Sequence, residues 1–90
     1  MRVKFFAYLR DYTGCPEVDL PTPATIGELA RVLSEKYGPK IRDKMLGPEG
    51  ELGAEIIIMI NGRHVIHLGG IDAPLKDDDT VQIFPMVAGG

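Results

Sequence analysis

Thr25 followed three residues later by Glu28 has the form of a capping box, in which hydroxyl and carboxylate satisfy amides that the first helical turn leaves orphaned. Ile26, Leu29, Ala30, Leu33 and Tyr37 recur at the three- to four-residue spacing that lines one helical face. Gly38 and Pro39 supply a stop. The pattern predicts a helix from Thr25 to Tyr37, flanked on both sides by runs with strand character. A single helix with one apolar stripe has to bury it against a sheet, so this feature restricts the chain to a two-layer α+β arrangement.

The flanking runs fill in the sheet. Val3 to Leu9 alternates, with Val3, Phe5, Ala7 and Leu9 on one face and Lys4, Phe6 and Tyr8 on the other. Thr13-Gly14-Cys15-Pro16 reads as a turn into a short strand at Glu17–Leu20. Pro21-Thr22-Pro23 forces an extended linker into the helix. Beyond the helix, a short second helical piece is expected at about Ile41–Leu46, and Gly47-Pro48-Glu49-Gly50 reads as a loop. Glu55–Ile60 is a third strand, apolar at nearly every position. Asn61-Gly62 then signals a type I′ hairpin, because both residues accept positive φ. Arg63–His67 is expected to pair back as a fourth strand. Gly69-Gly70 and Asp72-Ala73-Pro74 form an irregular crossing, and Asp77-Asp78-Asp79 turns the chain into a last strand, Thr80–Phe84.

Hairpin, helix, hairpin and final strand wrap most simply with the first and last strands as parallel central neighbours, the helix-bearing connection supplying the crossover. That is the β-grasp, or ubiquitin-like, fold: a mixed sheet covered by one main helix, over residues 1–85, with a flexible C-terminal tail at 86–90. The pleat then predicts a surface. With Val3, Phe5, Val81 and Ile83 facing the helix, Phe6 and Phe84 should meet on the open face, joined by Ile57/Met59 or by Ile56/Ile58. An aromatic-centred apolar patch there reads as a partner surface, unless the loop around Pro48 folds over it.

Composition removes several function classes. Ninety residues make one small domain with a modest core. The net charge of −3 and the scatter of the ten basic residues argue against nucleic acid as the main partner. No apolar stretch approaches a membrane span. The first strand begins at once, which leaves no room for a signal peptide, and the single cysteine, Cys15, suits a reducing compartment, so the expected location is cytoplasmic.

Catalytic equipment is scarce. Nucleotide-binding glycine patterns are absent, and Ser34, the one serine, sits on the predicted helix. His64 and His67, three apart on an expected strand, should face opposite ways and make a poor metal pair. Cys15 has no basic neighbour in its turn to activate it. Asp77-Asp78-Asp79 lacks the spaced ligands of a calcium loop and reads as a solvated turn. No metal ligands and no bound cofactor are expected. What does invite chemistry is Val87-Ala88-Gly89-Gly90: a glycine pair offers a narrow carboxylate with no side chain to block a channel. Extended, the segment from Met86 to Gly90 would reach about 17 Å. A carboxylate is inert until converted to a better leaving group, typically an adenylate. With no nucleotide site here, ATP would have to be used by a partner enzyme. These features together describe a carrier or ligand.

Three segments carry a family resemblance. Phe5-Phe6-Ala7-Tyr8-Leu9-Arg10, the stretch from Pro74 to Pro85, and Val87-Ala88-Gly89-Gly90 resemble the small subunit of molybdopterin synthase, the MoaD-like sulfur carriers. Asp78 departs from that pattern, standing where the family commonly has glycine. The length between Pro39 and Glu55 and the His67-Leu68-Gly69-Gly70 segment look more like an archaeal-type branch whose members also modify proteins or serve transfer-RNA thiolation. The resemblance implies that an E1-like adenylyltransferase activates Gly90. A sulfur-donating enzyme then leaves a thiocarboxylate, and the tail enters the large synthase subunit to deliver sulfur to a pterin precursor. It also implies reaction at Gly90 and Gly89, partner contacts at Phe6, His64 and Phe84, and further contacts along Pro85, Met86, Val87 and Ala88. A ubiquitin-like modifier joined through Gly90 to lysines, and a carrier for thiamine synthesis, remain open beside it.

Overall fold

The computed structural model describes residues 1–86; the expectations at Val87, Ala88, Gly89 and Gly90 lie outside the described residues. Five strands form one mixed sheet: β1 (Arg2–Phe5), β2 (Glu17–Asp19), β3 (Ile56–Ile60), β4 (Arg63–His64) and β5 (Thr80–Pro85), in the order β2-β1-β5-β3-β4. β1 and β5 are parallel central neighbours, and the other pairs are antiparallel. This is the expected β-grasp order. Helix α2 (Ile26–Tyr37) crosses between the two hairpins and covers one face. Thr25 Oγ1 accepts from Glu28 N–H at 3.2 Å, and Glu28 Oε2 accepts from Ala24 N–H at 3.0 Å, so the capping box closes one residue wider than its simplest form. Ile26, Leu29, Ala30 and Leu33 are fully buried against Val3, Phe5, Ile58, Val81 and Ile83.

Three local expectations are corrected. β1 ends at Phe5 rather than running to Leu9, because Ala7 takes φ 53° and turns the chain into a short helix, α1 (Leu9–Thr13). Leu9 N–H donates to Phe6 C=O and Arg10 N–H to Ala7 C=O, replacing the ladder. Leu9 is buried from the helix as it would have been from the strand, which is why alternation did not reveal the change.

The second correction is helix α3 (Pro39–Met45), which starts two residues before the expected Ile41. Pro39 occupies its first turn, where the missing N–H costs nothing. Gly38, at φ 92°, lets a single residue end α2 and open α3.

The third is the fourth strand, which stops at His64; Val65–His67 is a 3-10 turn. His64 Nδ1 accepts from Ile66 N–H at 3.1 Å and caps that turn, while Val65 drops into the core. Among the described residues, no helix is long and apolar enough to cross a membrane.

Candidate functional site

The open face is built from two cross-strand rows. Lys4, Gln82, Met59 and His64 are successive partners across β1, β5, β3 and β4. One pleat further toward the C-terminal end of β5, Phe84 pairs with Ile57, and Phe6 lies beside Phe84 because its N–H donates to Ile83 C=O at 3.1 Å. The two rings stack with centroids 4.2 Å apart and planes 14° from parallel. Phe6, Phe84, Ile57 and Met59 are half-buried, whereas Ile56, Ile58 and Ile60 face the core, so the register of β3 resolves in favour of Ile57 and Met59 on the open side.

The loop around Pro48 does not cover this patch. Leu46 and Gly50 share a cavity of about 370 Å³ with Thr25, Gly27 and Arg31, which places the loop against the helix layer.

Phe6 is held from a second side. Arg10 reaches over its ring at 5.7 Å, and Arg10 Nε donates to Phe5 C=O at 3.0 Å. The left-handed turn at Ala7 is what brings Arg10 back over the strand end, so α1 positions a cation on the aromatic pair.

At the far end of β5, Met86 N–H donates to Glu55 C=O at 2.7 Å. The Glu55 carboxylate meets Lys44 Nζ at 2.6 Å. Their hydrogen bond holds the Glu55 carboxyl below the usual carboxylate range and raises the Lys44 ammonium. Lys44 also sits 5.6 Å over Tyr8. Met86 therefore leaves the sheet two residues after Phe84, with the Lys44–Glu55 ion pair beside its amide.

The structure thus brings Phe6 and Phe84 together, while Pro85 pairs with Ile56 on the opposite face and Met86 follows it at the strand end. His64 lies on the same face as the two rings but on the edge strand, beside Met59 and separated from Phe84 by β3. The expectation that His64 and His67 face opposite ways is corrected: the 3-10 turn returns His67 to within 6.2 Å of the His64 ring, at 70°. The described residues hold no group of three or more potential metal ligands.

Cys15 Sγ is 3.6 Å from Tyr37 Oη; burial first, and then this contact, push the Tyr37 phenol up to about 12. The Asp77-Asp78-Asp79 turn is not uniformly solvated. Asp79 is buried, accepting from Asn61 Nδ2 and from Lys76 N–H, each at 2.8 Å.

Comparison with known proteins decides the family, since residues 3–90 match the ThiS family. The chain belongs to the ThiS family. Its members of this type are ThiS/MoaD-like, ubiquitin-like sulfur carriers and modifiers. Small archaeal modifier protein 3 of Haloferax volcanii is 34% identical over 95 residues, covering 100% of this chain and 98% of its own. Sulfur carrier protein CysO of Mycobacterium tuberculosis is 31% identical over 84 residues, covering 91% and 89%. A solved Pyrococcus furiosus structure, provisionally named molybdopterin converting factor, subunit 1, superposes with TM-score 0.71 at 32% identity, covering 96% of this chain and 95% of that one. Three differently named relatives at nearly equal identity place this ThiS-family chain in the family without selecting one of their roles.

Proposed function

We propose that this chain is a sulfur carrier for molybdopterin synthesis, working through Gly90. An E1-like enzyme would join the Gly90 carboxylate to AMP from ATP, releasing pyrophosphate. Sulfur from a sulfur-donating enzyme would then displace AMP and leave a thiocarboxylate. The large synthase subunit would receive the tail and pass the sulfur to a pterin precursor. The chain needs no cofactor of its own in this scheme, because ATP is consumed by the partner.

The observation that carries the proposal is the stacked Phe6–Phe84 pair, half-exposed on the open face and immediately before Pro85 and Met86. A partner that grips the pair would hold the chain end close by, so docking energy spent there would help to position a carboxylate six residues beyond Phe84. His64 would contribute from the rim of the same face. The family resemblance at Phe6, His64 and Phe84 and the similarity to the Pyrococcus furiosus chain support this choice.

Intact-mass measurement of untagged protein recovered from its own cell tests it. The expected product is a mass increase matching one oxygen exchanged for one sulfur at Gly90. Recovery of Gly90 only in isopeptide remnants on lysines of other proteins would replace this proposal with protein modification. That second reading draws support from the full-length similarity to small archaeal modifier protein 3.

A further inference from the structure

Phe6 touches two groups of different chemistry. Its ring stacks on Phe84, with centroids 4.2 Å apart, and it carries the Arg10 guanidinium over its face, 5.7 Å from the centroid. The guanidinium is fixed at its inner end. Arg10 Nε donates to Phe5 C=O at 3.0 Å, a bond that the left-handed turn at Ala7 makes possible. Arginine presents a planar fork of N–H donors, so those on the two terminal nitrogens are left for another partner. Among the described residues they form no ion pair.

The nearby carboxylates are otherwise placed. A cavity of about 220 Å³ beside Phe6 is lined by Lys4, Arg10 and Glu17, but the Glu17 carboxylate meets Arg2 Nε at 3.1 Å. Asp19 meets the same Arg2 nitrogen at 3.1 Å. Asp11, next to Arg10 in α1, lines a separate cavity with Gly14 and Cys15 and not the one beside Phe6. On the Phe6 side, then, Arg2, Lys4 and Arg10 outnumber Glu17 and Asp19.

A protein that covers the aromatic pair also covers this cation. Taking a guanidinium out of water without a counter-charge is costly, so the partner has to bring an acceptor. The bond to Phe5 and the ring beneath it have already removed much of the side chain's freedom, which lowers the cost of meeting that acceptor.

We propose that Arg10 is a specificity residue of the docking face: its terminal nitrogens make a two-pronged ion pair with an Asp or Glu side chain of the protein that grips Phe6 and Phe84. The inference rests on the docking reading of that pair and adds the partner's chemistry to it. A carboxylate matches the planar fork, and Lys4 in the same cavity adds attraction. Glu17 in that cavity would repel a multiply charged phosphate more strongly than a carboxylate.

The test is pyrophosphate release by a cognate E1-like enzyme, with the full chain as substrate and kcat and KM measured separately. Arg10→Met should raise KM about tenfold or more with kcat nearly unchanged, and Arg10→Gln should do the same. Arg10→Lys should recover only part of the loss, because an ammonium lacks the fork. Added salt should raise the wild-type KM and affect Arg10→Met much less. Arg10→Glu should be the weakest substrate and should regain affinity when the facing carboxylate of the enzyme, found by scanning its acidic residues, is changed to Lys. Neither the salt dependence nor that exchange would follow if Arg10 served only to hold the fold. ¹⁵N spectra identify the variants that keep the native fold. An unchanged KM for folded Arg10→Met and Arg10→Gln, beside a raised KM for Phe84→Ala, would overturn this inference and leave the docking reading standing. Phe84→Ala without effect would overturn both. Failure of every enzyme exchange to rescue Arg10→Glu also counts against it. Saturable shifts of the Arg10 Nε resonance with inorganic pyrophosphate in the free chain would assign the guanidinium to a phosphate instead.

Discussion

Asp79 is the residue whose removal the structure prices most clearly. Its side chain accepts from Asn61 Nδ2 and from Lys76 N–H, each at 2.8 Å, and the Asn61 amide oxygen accepts from Thr80 N–H at 2.9 Å. The carboxylate thus ties the β3–β4 hairpin to the turn that launches β5. Each hydrogen bond to a charged group contributes about 1.5–3 kcal/mol. Asn61 and Lys76 are exposed, so water replaces part of what Asp79→Ala removes, and the lower end applies. The expected loss is about 3 kcal/mol, a large share of a small domain's stability.

Urea denaturation should show it as a fall in midpoint of about 2–3 M at an unchanged slope of about 1 kcal/mol/M. Asp79→Asn keeps one acceptor but sets an NH₂ group against a donor, and should lose about half as much. Asn61→Gly keeps the left-handed turn that Asn61 occupies at φ 53° while deleting the amide. The Asn61→Gly/Asp79→Ala cycle should give a coupling of about 1 kcal/mol or more. A loss below about 0.5 kcal/mol for Asp79→Ala, typical of an exposed turn residue, would refute the reasoning.

Phe6→Ala and Phe84→Ala each remove half of a stacked pair from a half-exposed face, so each should cost about 1–2 kcal/mol in urea denaturation. If the pair is the docking point, the same variants should slow Gly90 adenylation by a cognate E1-like enzyme by about tenfold or more in a pyrophosphate-release assay, a defect larger than their stability predicts. Gly53→Ala would drive its Cβ into the Lys44 carbonyl oxygen, with the carbonyl carbon at 2.9 Å. A shift in the α3–β3 connection or a loss of about 2 kcal/mol or more should follow, read from the thermal midpoint. Tyr37 should ionise near pH 12 by ultraviolet absorbance. Because its phenol is raised in the folded chain, its contribution is complete below the unfolded value of 10.0 and is lost as pH climbs toward 12. Cys15→Ala should lower that pKa only in part, since burial is the larger cause.

Much of the architecture could be read from local pattern. The 3.6-residue stripe and capping box placed α2 because helix caps and amphipathic faces are short-range physics. Asn61-Gly62 marked the hairpin because positive φ at both positions is costly for most residues. The meeting of Phe6 and Phe84 followed from pleat alternation once β1 and β5 were set side by side. The errors cluster where burial alone cannot distinguish two backbones. Leu9 and Val65 are buried whether the chain continues as a strand or turns into a helix, so their hydrophobicity carried no information about which happened.

By itself, then, the sequence determined the two-layer order and the covered and open faces of the sheet. It could do so because spacing, caps and turn residues act over a few neighbours. Only the tertiary structure decided that Arg10 folds back over Phe6, that Asp79 is buried between two turns, that the two histidines approach each other, and that β4 stops at His64. Each depends on groups far apart in the chain or on one residue's backbone angle. Those are settled by what packs and hydrogen-bonds around them, not by the residue types alone.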